Sequence, residues 1–227
     1  MKKVWVISLG GSLIIPDSID YAFLDKFKKT LRKHYAHCKF IIVCGGGSVA
    51  RKYISALKAE HHSQKELSLV GIRATRMNAL FLMQFFGPEA NETLPLNMHQ
   101  VKNFLQKNSV VICGALRYTA HSTSDSTSAK LASFFKSEFI NMTNVKGLYT
   151  SNPLTNKNAK FIPRISWKEF ESLTLKIKFH AGQHYVLDQQ ASVIIKNHKV
   201  ETYIIGKSMS NLDKILHKKK FIGTVIS

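Results

Sequence analysis

The sequence has little negative charge and no long apolar run. Only 14 Asp and Glu residues stand against 33 Lys and Arg, which gives a formal net charge of +19. This surplus favours an anionic partner, namely nucleic acid, a membrane surface or a phosphorylated small molecule, although a Lys-rich surface without a specific partner gives the same excess. No apolar run reaches the roughly 18 residues that a transmembrane helix needs, so no membrane span is expected.

Cysteine is also scarce. The three cysteines are Cys38, Cys44 and Cys113, and no CxxC pair occurs. The odd count and the spacing argue against a disulfide framework. Cys44 and Cys113 each end an apolar run. We therefore expect reduced thiols in or near the core, as is typical of a cytoplasmic protein.

The remaining composition is that of a packed globular protein, with 44% hydrophobic and 10% aromatic residues. Short apolar runs predict strands at 4–9, 40–44, 110–113, 139–142, 200–205 and 223–226. Apolar residues at helical spacing predict helices at 19–34, 49–57, 67–86, 98–106, 125–135, 186–195 and 211–216, with Ser124 as an N-cap. The polar segment 149–166 predicts a loop or a subdomain junction. This alternation predicts an α/β fold whose mainly parallel sheet is covered on both faces.

Three predicted strands run directly into glycine. Gly10-Gly11-Ser12 follows the first strand, Gly45-Gly46-Gly47 the second and Gly114 the third. In an open α/β sheet, ligands bind beyond the carboxyl ends of the strands, where glycine lets backbone N–H groups approach phosphate oxygens. A single glycine after a strand is most often only a tight turn. Two strand–glycine–helix units favour two phosphate sites, one for a phosphoryl donor and one for an anionic acceptor.

Two charged residues lie beside these loops. Arg51 follows the second loop by one helical turn, where it either neutralises a phosphate or is an ordinary solvated arginine. Asp125 opens a helix after Ser122-Thr123-Ser124. There it either complements the helix dipole or positions Mg²⁺ or a catalytic lysine near a transferring phosphoryl group.

Several common catalytic motifs are missing. The chain contains no P-loop, no GxGxxG fingerprint, no protein-kinase HRD or DFG and no GxSxG elbow. Its ten histidines lack metal-ligand spacing with acids or cysteines, so we expect no protein zinc site. The basic residues are dispersed without interleaved aromatics, so nucleic-acid binding ranks low.

Six motifs occur in order over essentially the whole chain. In chain order they are Gly10-Gly11-Ser12, residues 45–53, residues 71–79, residues 123–125 with 129–132, residues 143–149 and residues 223–226. Together they resemble the amino-acid-kinase superfamily, and in particular archaeal-type uridylate (UMP) kinases. Their joint occurrence is specific, whereas the individual glycine loops are not.

The resemblance implies one αβα-sandwich domain over 1–227, with an acceptor half at about 1–120 and an ATP half at about 121–227. It implies transfer of the ATP γ-phosphoryl group to UMP with Mg²⁺, in a homo-oligomer that is a hexamer or a dimer. The catalytic residues would be Asp125 and Ser12. Those implied at ATP are Gly10, Gly11, Ser12, Gly47, Arg51, Thr143, Asn144, Tyr149 and Asn152. Those implied at the acceptor are Gly45, Gly46, Ser68, Thr123 and Ser124.

Three positions depart from the pattern. Ser8 replaces a first-strand lysine found in many members, Ser68 replaces the acid that typically binds the acceptor ribose, and Lys146 reverses the charge of a usual acid. The phosphate loops are therefore kept while acceptor recognition is changed. Three hypotheses stay open: a UMP kinase, a kinase of the same fold for another phosphate monoester, and a non-catalytic nucleotide- or oxyanion-binding module.

Overall fold

The computed structural model describes residues 2–118, 123–151, 153, 156–176 and 187–227. The strands are β1 (Lys3–Leu9), β2 (Cys38–Cys44), β3 (Val110–Cys113), β4 (Glu138–Met142), β5 (Leu148–Tyr149), β6 (Phe161–Ile162), β7 (Arg164–Ile165), β8 (Thr202–Ile205) and β9 (Thr224–Ile226). The helices are α1 (Gly11–Ile14), α2 (Tyr21–Arg32), α3 (Gly47–Ala59), α4 (Gln64–Phe86), α5 (Met98–Lys107), α6 (Ser124–Phe135), α7 (Trp167–Leu175), α8 (Gln189–Asn197) and α9 (Met209–Leu216). A 3₁₀ turn at Gly87–Glu89 ends α4.

Seven strands form one sheet in the order β3-β2-β1-β4-β8-β9-β7. All neighbours pair in parallel except β8 and β9, which are antiparallel. The chain builds outward from β1 to β3 on one side and then continues from β4 to β8 on the other. The strand order therefore reverses between β1 and β4, and in such sheets ligands bind at the carboxyl ends of the strands flanking that reversal.

Apolar side chains cover both faces of the sheet. Along β1, Trp5, Ile7 and Leu9 belong to one buried cluster together with residues of α2, α4 and α9. Val6 points to the opposite face, into a second cluster built with α5, α6, α7 and α8. Because side chains alternate along a strand, this division confirms the predicted three-layer αβα sandwich with a mainly parallel sheet.

The predicted strands and helices are confirmed, with end shifts of a few residues, and the exceptions are local. Residues 149–166, predicted as a loop, include the short strands β6 and β7, and β5 reaches into that segment at Tyr149. α7 was not predicted; it begins with a capping box in which Ser166 and Glu169 satisfy each other's backbone N–H groups. The N-cap of α6 is Thr123, not Ser124, because Thr123 is the extended residue whose hydroxyl accepts from the Asp125 N–H. The predicted helix start at 186 lies outside the described residues.

The three cysteines are buried free thiols, as expected. Burial raises the pKa of Cys113 to about 12, which leaves this thiol inert at neutral pH. Within the described ranges, no helix is both long and apolar enough to cross a bilayer.

Candidate active site at the carboxyl ends of the central strands

The loops after β1 and β2 lie against each other with their backbones in contact. A Cβ on Gly11 would come within 2.2 Å of the Gly47 nitrogen and 2.6 Å of the Gly45 oxygen. Gly47 has a φ of +62°, and a Cβ there would lie 2.5 Å from the Gly11 carbonyl carbon. Neither position accepts a side chain, so these two glycines are required by the contact itself.

These loops place two helix N-termini beside one another. α1 begins at Gly11 and α3 at Gly47, neither with a side-chain cap. The first N–H groups of a helix have no intrahelical acceptor and carry the positive end of its dipole. In α3, which has 13 residues, these groups can face an anion such as phosphate. Ser12, in the first turn of α1, is partly exposed.

Arg51 supplies positive charge to the same region. It lies one turn into α3 and is half-buried, and this burial lowers the pKa of its guanidinium. It makes no hydrogen bond or ion pair within the described residues. A half-buried cation without a partner is unfavourable, so Arg51 has the properties of a group that meets an anionic ligand.

Polar residues of α4 hold the second and third loops in place. Asn78 is buried and its amide donates to the Gly45 carbonyl at 2.7 Å. The Thr75 hydroxyl accepts from the Ala115 N–H at 2.9 Å. Arg76 donates to the carbonyls of Ala115 and Leu116, at 3.1 and 2.6 Å. Thr75 and Asn78 are polar residues three positions apart on an otherwise apolar helix face. The sequence analysis did not predict a function for these two side chains.

Asp125 lies at the reversal of strand order, at the start of α6. Its Oδ1 accepts a hydrogen bond from Ser8 on β1 at 2.8 Å and one from Asn141 on β4 at 3.2 Å. Ser8 and Asn141 are register partners on these adjacent strands. Ser8, the residue in place of the usual lysine, therefore holds the carboxyl directly. No hydrogen bond to Oδ2 is present among the described residues.

The environment of Asp125 favours its neutral form. Burial is the main cause that raises the pKa of Asp125 to about 7, and the negative charge of Asp188 is the second. The hydrogen bonds from Ser8 and Asn141 act in the opposite direction and lower this pKa. The residue nevertheless keeps some solvent exposure. A carboxyl that titrates near neutral pH at a ligand-binding edge is typical of a functional group.

Asp188 is the site residue that sequence reasoning missed. It is buried, caps α8 by accepting from the Ala191 N–H at 2.7 Å, and accepts from Thr123 Oγ1 at 2.5 Å and Ser126 Oγ at 2.6 Å. It thereby fixes the start of α6, which carries Asp125. An Asp before a helix signals a cap in the sequence, but nothing there connects it to residue 125.

The remaining predicted site residues are more dispersed. Thr143 and Asn144 follow β4 at the same edge, where the Thr143 N–H donates to the Ile205 carbonyl at 2.9 Å. The Tyr149 ring packs on Phe161, at 5.4 Å between ring centres. Ser124 is the partly exposed first residue of α6. Asn152 lies outside the described residues.

Ser68 lies on α4 and makes no hydrogen bond to the glycine loops among the described residues. Its hydroxyl donates to the Gln64 carbonyl at 2.8 Å. The Gly71 carbonyl oxygen, which would be 3.6 Å from a Cβ on Gly46, is three residues further along the helix. That separation is roughly 4.5 Å along the axis. A longer, acidic side chain at residue 68 could therefore approach a ligand at the loops.

This chain resembles known proteins over most of its length. The model of the amino acid kinase family matches residues 3–206. A uridylate kinase of Archaeoglobus fulgidus is 32% identical over 223 residues, covering 98% of this chain and 99% of the relative. One of Thermoplasma acidophilum is 33% identical over 227 residues, covering 100% and 97%.

Solved structures show the same likeness. The crystal structure of uridylate kinase from Archaeoglobus fulgidus superposes with a TM-score of 0.83 at 31% identity, covering all of both chains. A UMP kinase structure from Ureaplasma parvum has a TM-score of 0.80 at 21% identity, covering 100% of this chain and 99% of its own, and shows the shared fold. The family match and the full-length relatives together show that this chain belongs to the amino acid kinase family.

Proposed function

We propose that this protein transfers the γ-phosphoryl group of ATP to UMP. The observation that carries the proposal is the close contact of Gly11 with Gly47, which sets two helix N-termini side by side at the reversal of strand order. The uncapped N-terminus of α3, together with the backbone of the two glycine loops, suits the phosphate groups of a donor and an acceptor. The choice of UMP rests on the uridylate kinases that match over the full chain.

Phosphoryl transfer needs alignment and charge neutralisation more than covalent chemistry from the protein. In this proposal Gly10, Gly11 and Ser12 bind phosphate oxygens of ATP, Gly47 and Arg51 lie beside them, and Gly45 and Gly46 meet the acceptor phosphate. Thr123 and Ser124 belong to the acceptor loop. Thr143, Asn144, Tyr149 and Asn152 line the adenine and ribose. The acceptor half at 1–120 and the ATP half at 121–227 remain a prediction.

Asp125 is the proposed catalytic carboxylate, and it fits a role beside Mg²⁺. Its Oδ2 has no hydrogen bond among the described residues, and carboxylate oxygen is a ligand that Mg²⁺ prefers. A nearby cation would also favour the ionised form of a group whose pKa is about 7. When bound with ATP, Mg²⁺ would neutralise negative charge on the phosphate oxygens. Ser8 and Asn141 hold the carboxyl in one orientation.

Assembly into a homo-oligomer remains part of the proposal. Met77 and Leu80 lie three residues apart on α4 and are 66% and 42% exposed. Contact with a second copy would bury this apolar surface. Size measurement in solution would test that point separately from activity.

A second candidate, a kinase for a different phosphate monoester, is favoured by Ser68. Its hydroxyl already donates within α4, so it offers ribose hydroxyls a weaker acceptor than a carboxylate. A panel of acceptors tests the two candidates with ATP and Mg²⁺ held constant. ADP release that depends on UMP supports the first. Turnover only with a non-nucleotide monophosphate selects the second, and no turnover despite a melting temperature raised by ATP indicates a binding module.

A further inference from the structure

A cluster of two histidines and an aspartate lies at the opposite edge of the sheet from the candidate active site. His34 follows the C-terminal end of α2, while Asp213 and His217 lie in the last turn of α9 and just beyond it. Helices that follow parallel strands run back across the sheet, so their C-terminal ends lie near the strands' amino ends. The cluster is therefore separate from the glycine loops.

The potential ligand atoms are close together. His34 Nε2 is 2.9 Å from Asp213 Oδ1, and His217 Nδ1 is 3.5 Å from Asp213 Oδ2. The two imidazole rings lie 4.7 Å apart between centres. One ligand atom from each of the three residues can be chosen so that all lie within 4.8 Å of one another. Ligand atoms of tetrahedral zinc are separated by about 3.3 Å, so the widest of these separations must shorten by up to about 1.5 Å when the ion binds.

The burial of the three side chains suits a metal site with an open position. The side chain of His34 is 8% exposed, whereas those of Asp213 and His217 are 42% and 50% exposed. The first gives a fixed ligand, and the other two leave access for an ion and for water. Two imidazoles with one carboxylate are the ligand set of several zinc sites.

We propose that His34, Asp213 and His217 bind a divalent transition-metal ion, with Zn²⁺ the best fit, which joins α2 to α9. Imidazole nitrogen favours Zn²⁺ and its late transition-metal neighbours over Mg²⁺ or Ca²⁺. Sequence reasoning expected no such site, because His34 is distant along the chain and the Asp213–His217 spacing was not connected to it. This inference is independent of the proposed kinase activity.

Binding requires a rearrangement of protons. His34 Nε2 donates a hydrogen bond to Asp213 Oδ1 at 2.9 Å, and His217 Nδ1 lies 3.0 Å from the Asp213 carbonyl oxygen. Metal coordination at these nitrogens moves the ring proton of each neutral imidazole to its other nitrogen, or releases one proton from an imidazolium. Binding therefore relocates or releases ring protons, because a coordinating imidazole nitrogen cannot carry hydrogen.

One nearby group opposes a cation. Lys33 lies close enough to contribute to the lowered pKa of Asp213, although the hydrogen bond from His34 is the main cause. The simplest alternative is that the cluster is only a hydrogen-bonded contact between two helices. The two explanations predict different effects of adding Zn²⁺ and of removing His217. The hydrogen bond between His34 and Asp213 does not require His217, whereas the metal site does.

The test uses the full chain without an affinity tag, freed of metal by a chelator and titrated calorimetrically with Zn²⁺ alone. His217→Asn is compared with His198→Asn, which removes another exposed histidine at a helix C-terminus, that of α8. We expect one Zn²⁺ per chain, a raised melting temperature, and affinity at least about tenfold weaker in His217→Asn. His198→Asn should bind as the unaltered chain does, and circular dichroism verifies that both variants are folded.

Two further variants, His34→Gln and His62→Asn, make the assignment specific. His34→Gln should also weaken Zn²⁺ binding, and Co²⁺ should give visible absorption typical of nitrogen and oxygen ligands in the unaltered chain and in His198→Asn but not in His34→Gln. The proposal is overturned if no stoichiometric Zn²⁺ binding occurs or if His217→Asn and His198→Asn bind equally. It is also overturned if binding is lost only in His62→Asn, since His62 lies 3.5 Å from Glu66 in a separate cluster.

Discussion

Replacing Asp125 with asparagine should stabilise the protein at neutral and higher pH while abolishing phosphoryl transfer. Burial and Asp188 raise the pKa of Asp125 from 3.8 to about 7 in the folded protein. Between these values the unfolded chain ionises the carboxyl and the folded chain does not. The contribution of this group to stability is therefore greatest below pH 4 and is lost as pH rises towards 7.

The magnitude follows from the size of the shift. The rise of the Asp125 pKa from 3.8 to about 7 means that ionisation of this carboxyl destabilises the unaltered chain by at most about 4 kcal/mol at pH 8. Roughly 3 kcal/mol of this destabilisation develops between pH 5 and pH 8. The amide in Asp125→Asn would avoid the ionisation, and its oxygen can still accept from Ser8 and Asn141. Because the new NH₂ group has no partner among the described residues, the net gain at pH 8 should be smaller, about 2 kcal/mol.

Urea unfolding of both proteins at several pH values between 5 and 8 measures this difference. The variant's stability relative to the unaltered chain should rise by roughly 3 kcal/mol over that range and then level off. Asp17→Asn, at an exposed position, provides the control and should show no such rise. A stability difference between Asp125→Asn and the unaltered chain that does not change with pH would refute the reasoning. An unchanged rate of transfer would refute the catalytic role.

Three further predictions concern other residues of the candidate site. Arg51→Met should lower kcat/KM for ATP by roughly 10–100-fold, because the substitution removes a charged contact to phosphate. The control Lys52→Met, which replaces an exposed neighbour, should change kcat/KM little. Equal effects of the two substitutions would contradict the role of Arg51. Asp188→Asn should lower the free energy of unfolding by about 2–4 kcal/mol, since donors on Thr123, Ser126 and Ala191 lose a charged acceptor, and denaturant unfolding that shows no loss would contradict this account. Ser68→Asp should lower KM for UMP about tenfold if a missing carboxylate weakens ribose binding, with Ser55→Asp as control, and an unchanged KM would remove that explanation.

Much of the fold followed from the sequence because its central strands are buried on both faces. Residues such as Ile41, Ile42 and Val43 form a continuous apolar run, which is the pattern of an internal parallel strand. The short strands β5, β6 and β7 have two residues each and cannot show a period, so they were not predicted. Their pairing depends on distant contacts, such as the hydroxyl of Thr224 accepting from the Leu148 N–H.

The candidate site was predictable in its loops but not in the arrangement of its carboxyl groups. Glycine after a strand is a local signal, and the contact between Gly11 and Gly47 agrees with it. The pair formed by Asp125 and Asp188 depends on how α6 and α8 pack, which no local pattern encodes. Likewise, the sequence showed Ser8 only as the absence of a lysine, whereas in the structure its hydroxyl donates a hydrogen bond to Asp125.

Label transfer from ATP carrying ³²P at its γ-position tests the central claim most directly. With UMP and Mg²⁺ present, the account predicts that the label appears in UDP with the unaltered chain and not with Asp125→Asn. Both proteins should still bind ATP, as measured by a raised melting temperature. Label that stays in ATP with the unaltered chain, or that appears only as inorganic phosphate whether or not UMP is present, would contradict it.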